Sequence, residues 1–165
     1  MKNAIGMDKI SNMEKYENYK EQMGRLKKAM DNHFLLEALF IEYAVLEDRC
    51  ESILRHSGAF NPERHKTLNS KLNRIAELAR NKKTPLHQHI TPELVDEIKV
   101  WKEKRNRLIH ALMKQKLTGE ELERIVTQGQ QLVKTMCSKT TSYKRRLERE
   151  QKVNRLNDKD CSLNT

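Results

Sequence analysis

Apolar residues recur three and four positions apart over most of the chain, the spacing that lines them up on one face of an α-helix. The pattern predicts about five helices in succession. Tyr16, Tyr19, Met23, Leu26 and Met30 make a narrow stripe on a first helix from about Asp8 to Met30, and Asp31-Asn32 breaks it. The second helix, about His33 to His56, is the most apolar, because only Glu37 and Glu42 interrupt the run from Phe34 to Leu46. Such a helix is expected at the centre of the fold. Ser57-Gly58 reads as its stop, with glycine free to take the left-handed C-cap. Asn61-Pro62-Glu63 reads as the next start, a capping residue before a first-turn proline. The third helix, about Pro62 to Arg80, carries Leu68, Leu72, Ile75, Leu78 and Ala79.

A polar, basic loop from Asn81 to Ile90 precedes a fourth helix that opens at Thr91-Pro92-Glu93 and runs to about Met113. Leu94, Ile98, Trp101, Leu108 and Leu112 share its face, with Trp101 read as core or interface. After a short connection, Lys116 to Gly119, a fifth helix carries Leu122, Ile125, Val126, Leu132, Val133 and Met136. Gly129 lies in that seam, where glycine costs about 1 kcal/mol; it is read as a close helix–helix approach. Beyond Lys139 the seam weakens, and Tyr143 and Leu147 are its last good members. The expected architecture is all-α, an up-and-down bundle of about five helices over residues 1–142. A basic helical extension and a disordered tail are expected over 143–165, with fraying from about Asn154.

Composition narrows the class. A chain of 165 residues fits one domain, and 5 glycines, 3 prolines and 34% charged residues favour helix over sheet. The net charge of +10 points to an anionic partner, most simply nucleic acid. Cys50, Cys137 and Cys161 form neither a disulfide framework nor a zinc signature, so a reducing cytoplasm is expected. Met1 to Gly6 leads into charged residues and is not expected to be a signal peptide. No window is long and apolar enough to span a membrane.

The chemistry concentrates in Arg105-Asn106-Arg107-Leu108-Ile109-His110 on the fourth helix. Arg105 falls in the apolar seam, where a cation needs an anionic partner. Asn106 and His110 are four apart on an adjacent face. A permanent cation, an amide and an imidazole can hold a phosphodiester and move its protons. Arg105 and His110 are about 140° apart around the helix. They converge only if the arginine curls along the helix or a second helix completes the pocket. A two-fold dimer built on this helix would place both pairs in one basic cleft. The alternative is a buried arginine paired with a second-helix acid, and a surface histidine.

These six residues resemble the Arg-polar-x-x-x-His motif of the HEPN superfamily, small all-helical domains that include many ribonucleases of toxin–antitoxin, abortive-infection and CRISPR systems. The long apolar second helix, the late motif helix and one further helix are similar to that fold. The resemblance implies RNA cleavage across a homodimer interface with no metal or other cofactor, in phage defence or beside an antitoxin protein. His110 would be general base or acid for the ribose 2′-hydroxyl or the leaving 5′-oxygen, a task suited to a group that titrates near neutrality. Arg105 would bind the scissile phosphate. Asn106 would orient His110 or donate to a phosphate oxygen. The products would be a 2′,3′-cyclic phosphate and a 5′-hydroxyl. Some HEPN toxins carry a tyrosine, modified by a partner nucleotidyltransferase, two residues after the motif histidine; Leu112 stands there, so that control is not expected.

Acidic residues of the second helix would support Arg105: Glu42 first, then Glu47 and Asp48. Glu42 sits in an apolar stripe and needs a partner, either Arg105 or Arg49; an ordinary structural ion pair is the alternative for each acid. Lys82 and Lys83 in the loop, Lys104 and Arg107 on the motif helix, and Lys144, Arg145, Arg146 and Arg149 on the fifth are candidates for RNA backbone contacts. Such contacts give salt-dependent, sequence-poor affinity, and a solvated face is the alternative. His87-Gln88-His89 lacks a further ligand at a metal-binding spacing and reads as an exposed polar loop. Two other functions fit the same residues. One is a catalytically silent HEPN-like module that binds nucleic acid or a protein; the other is a helical interaction module for an acidic protein.

Overall fold

The structure, a computed structural model, describes residues 11–112, 114 and 118–162, with side-chain surroundings given as far as residue 155, Asn12 excepted. Among the described residues there are five α-helices, one 3-10 turn and no strand, so the all-α expectation holds. The helices are α1 (Asn12–Asp31), α2 (Leu35–His56), α3 (Leu68–Arg80), α4 (Pro92–Ala111) and α5 (Gly119–Ser162). Successive helices pack on one another and α5 returns against α2, which is the central element. Among the described residues, no helix is long and apolar enough to cross a membrane.

Local chemistry sets most of the boundaries. Ser11 and Glu14 cap α1 reciprocally: the Ser11 hydroxyl accepts from the Glu14 amide at 3.2 Å, and the Glu14 carboxylate accepts from the Ser11 amide at 2.7 Å. The expected start at Asp8 lies outside the described residues. α2 begins at Leu35, two residues later than expected, because His33 and Phe34 close the end of α1. The His33 amide donates to Met30 and the Phe34 amide to Ala29, with His33 at φ 57 in the left-handed position. Gly58, at φ 70, ends α2 by the same device, as its sequence implies.

The start of α3 differs from the expectation. Asn61-Pro62-Glu63 makes a single turn, in which the Asn61 side chain accepts from the Glu63 and Arg64 amides at 2.9 and 3.1 Å. The His65 ring then accepts from the Asn61 amide at 2.9 Å, and the chain leaves the helical path. Thr67 and Ser70 cap one another and begin α3 at Leu68. Two capping residues competed for one helix, and the one next to the apolar stripe won.

α5 is one 44-residue helix. Thr140 and Tyr143 are buried and Leu147 packs on the core, so no break separates the bundle from the distal part of α5 at residue 142. The helix extends to Ser162, past Asn154, from which fraying is expected. Charge pairs one turn apart, such as Arg146 with Glu150 at 2.8 Å, support that distal half.

The core runs along α2 through Leu39, Leu46, Ile53 and Leu54. Trp101 of α4 is fully buried, and its indole N–H donates to the Ile125 carbonyl of α5 at 2.9 Å. Gly129 of α5 stands over the same place. A Cβ there would lie 2.1 Å from Oε2 of Glu42 and 2.8 Å from Cζ2 of Trp101. The glycine thus permits the close approach read from the seam. Gly129→Ala is expected to lower stability by about 1–3 kcal/mol through overpacking, although alanine is the better helix former by about 1 kcal/mol. An unchanged or raised urea midpoint would show that α2, α4 and α5 part without strain.

Candidate functional site

Arg105 leaves the α4 seam toward α2. It is half-buried, and its guanidinium carbon lies 5.0 Å from the ring centre of Phe40 and 4.8 Å from that of Tyr43. Two ring faces attract a cation without neutralising it. Nη1 donates to the Asn106 side-chain oxygen at 3.2 Å, and Nε has no hydrogen-bond partner. Among the described residues no carboxylate lies within ion-pair distance of Arg105. Burial pulls its pKa down, with the nearby Tyr43 acting the other way; an arginine remains charged. Phe40 is 57% exposed and Leu36, one turn before it on α2, 38%, so the guanidinium stacks on a ring that is open to solvent.

His110 faces elsewhere. It is exposed and lines a groove of about 890 Å³ beside α4 and α5, with Lys104, Arg107, Lys114 and Arg124. Lys104 donates to Gln128 at 3.3 Å in the same wall, and Glu121 is the acid among the lining residues. Five basic or imidazole groups against one carboxylate make a cleft that concentrates anions. The two motif side chains therefore diverge within one chain, as the helical angle requires. Asn106 is bonded to Arg105 and leaves the orientation of His110 to other groups.

The acids of α2 are placed differently from the expectation. Glu42 is fully buried, and neither carboxylate oxygen has a hydrogen-bond partner. Its carboxyl points at Gly129, where the missing side chain leaves room, and not at Arg105. Burial pushes its pKa up to about 9, so it is a neutral acid at pH 7. Arg49, the other proposed partner, is bonded to Asp48 and lies 4.6 Å over the Tyr19 ring. Glu47 and Glu51 hold the buried Lys71 of α3 at 3.2 and 3.0 Å. Asp48 is exposed. None of the three acids forms an ion pair with Arg105.

Of the basic candidates, Lys104 and Arg107 line the His110 groove. Lys82 and Lys83 are exposed on the turn after α3, outside both grooves. Lys144 is half-buried, its pKa is lowered by burial and then by Arg49, and it lines neither groove. Arg145, Arg146 and Arg149 line a second groove, with His89. The His87-Gln88-His89 stretch is not simply an exposed loop. Gln88 is exposed, but His87 Nδ1 is 2.7 Å from the Ala79 carbonyl at the end of α3, and the half-buried His89 ring packs 5.8 Å from that of Tyr143. Lys114, Arg124 and Gln128 were not among the candidates. Their common signal is position, one wall supplied by the end of α4 and the other by the first turns of α5.

Among the described residues no three His, Cys, Asp or Glu side chains stand close enough to share a metal ion. No family model, curated protein or solved structure matches the chain.

Proposed function

We propose that the chain is an HEPN-type endoribonuclease that works as a homodimer without a metal, the reading its motif resemblance implies. Supporting it above all is Arg105, a half-buried guanidinium held by two aromatic rings with, among the described residues, no carboxylate within ion-pair distance. A structural arginine in a seam is ordinarily paired; an unpaired one is available to an outside anion. Arg105 and His110 diverge within a chain, so the composite site joins Arg105 of one copy to His110 of the other. The exposed Leu36 and Phe40 beside Arg105 offer apolar area for that contact.

In this site His110 removes the proton of a ribose 2′-hydroxyl, or protonates the departing 5′-oxygen. The 2′-oxygen bonds to phosphorus as the bond to the 5′-oxygen breaks. Arg105 offsets the charge that gathers on the non-bridging oxygens. Lys104, Arg107, Lys114 and Arg124 hold the flanking backbone in the groove. By the same resemblance the setting is phage defence or a toxin–antitoxin pair in the cytoplasm. A silent RNA-binding module is the second reading, favoured by the divergence of the two motif side chains within one chain.

Incubation of the full chain with single-stranded RNA in excess chelator tests the proposal. Cleavage to 2′,3′-cyclic phosphate and 5′-hydroxyl ends is expected, with none on the all-deoxy strand. Dependence on added metal, or cutting of the deoxy strand, would overturn it. Salt-sensitive RNA retention with no new ends would leave the silent module.

A further inference from the structure

We propose that a second groove, beside the 3-10 turn and the distal half of α5, binds the sugar–phosphate backbone of RNA extending away from the His110 groove. The proposal rests on the reading that RNA is the ligand. The groove encloses about 670 Å³. α5 supplies Arg145, Arg146 and Arg149 together with the hydroxyls of Ser138 and Ser142, and the 3-10 turn supplies His89. No carboxylate is among its lining residues. Arg146 is engaged by Glu150, whereas among the described residues neither Arg145 nor Arg149 meets a carboxylate within ion-pair distance. Nε2 of His89 is buried without a partner, a further polar atom left unsatisfied in this wall.

The lining decides the ligand class. Guanidinium, hydroxyl and imidazole groups are the ones that contact phosphate and sugar oxygens. No Phe, Tyr or Trp lines the groove, so it offers no platform for stacking bases. Large aliphatic side chains are absent from the lining as well, and a docked protein segment needs such anchors. What remains is sequence-independent binding of a polyanionic backbone. From Arg124 in the first groove to Arg145 in the second, α5 rises about 30 Å. Only a long strand can touch both.

Arg145 and Arg149 are exposed, so replacing both by alanine leaves the fold alone. Binding is measured with 2′-O-methyl oligonucleotides, which lack the attacking hydroxyl, one of about four nucleotides and one of about twenty. Loss of two backbone contacts is expected to weaken the long strand about tenfold. The slope of log affinity against log salt should become shallower by about 1.4. The advantage of the long strand over the short one should shrink to match. Wild-type affinity and salt slope in the double variant would overturn the proposal, and so would capture of an acidic protein through these arginines with RNA affinity untouched. If RNA is cut normally but the double variant binds like wild type, only the second groove fails. If the variant binds weakly while the wild-type chain cuts nothing, the groove stands and the nuclease reading fails.

Discussion

Arg105→Ala and His110→Ala are each expected to lower RNA cleavage by at least about a hundredfold, and mixing the two inactive proteins is expected to restore activity. The reason lies in the divergence of the two side chains around α4. If the site joins Arg105 of one copy to His110 of the other, a mixed dimer holds one site missing both groups and one site intact. Random pairing makes half the dimers mixed, so about a quarter of wild-type activity returns. A site built within one chain gives no rescue, because each chain of the mixture lacks one group. Neither substitution should disturb the fold. His110 is exposed, and removing Arg105 leaves no carboxylate uncompensated, since among the described residues no acid pairs with it. Arg105→Lys keeps the charge but loses the fork and much of the ring stacking, and should stay impaired. Equal circular dichroism and equal elution on gel filtration accompany the comparison. Wild-type cleavage by His110→Ala would sink the nuclease reading outright.

Where a feature depends on neighbours along the chain, the residues announce it. Thr91 with Pro92 and Gly58 mark helix ends because capping is a matter of a few consecutive amides. The Arg105–His110 angle is also local and follows from helical pitch alone. The third helix was harder, because Asn61 and Thr67 are both good caps and only packing of the adjoining stripe selects between them. Glu42 shows the limit more sharply. Periodicity places it in a seam, yet says nothing of what stands opposite, and the answer is a glycine on α5 instead of an arginine. The two grooves were invisible for the same reason. A run of basic residues looks alike whether it faces open water or a wall, and the wall beside His110 comes from the register of α5 against α4.

Raising the pH from about 7 to about 9 is expected to remove about 2 kcal/mol of stability, and Glu42→Gln to abolish that loss. In the unfolded chain the Glu42 carboxyl ionises near its ordinary value of 4.5, while in the folded protein burial pushes it up to about 9. Between those values the unfolded chain has released a proton that the folded chain keeps. Folding then requires proton uptake, so stability falls as pH rises, by about 1.4 kcal/mol per pH unit. The contribution is fully present below about pH 4.5 and is lost as pH climbs to 9. Between pH 7 and 8 no other perturbed group among the described residues has the same sign and a comparable effect. His89 is lowered, chiefly by burial, and so acts with the opposite sign near and below its ordinary value of 6.5. Cys50 and Cys137, raised by burial from an ordinary value of 9.0, add a loss of the same sign only as pH nears 9, and Tyr19, raised from 10.0, only above it; all three act equally in the Glu42→Gln protein. Glu42→Gln keeps the shape and an unpaired polar group but cannot ionise, so it isolates the proton from the packing. Glu42→Met also removes the unsatisfied oxygens and should stabilise the protein at every pH in the range. Urea midpoints at pH 6, 7, 8 and 9 for the three proteins provide the measurement. A wild-type curve as flat as that of Glu42→Gln would show that the carboxyl beneath Gly129 finds solvent or a counter-charge when it ionises. Ionisation without escape would instead drive α5 from α2 and α4 at the layer that carries Trp101.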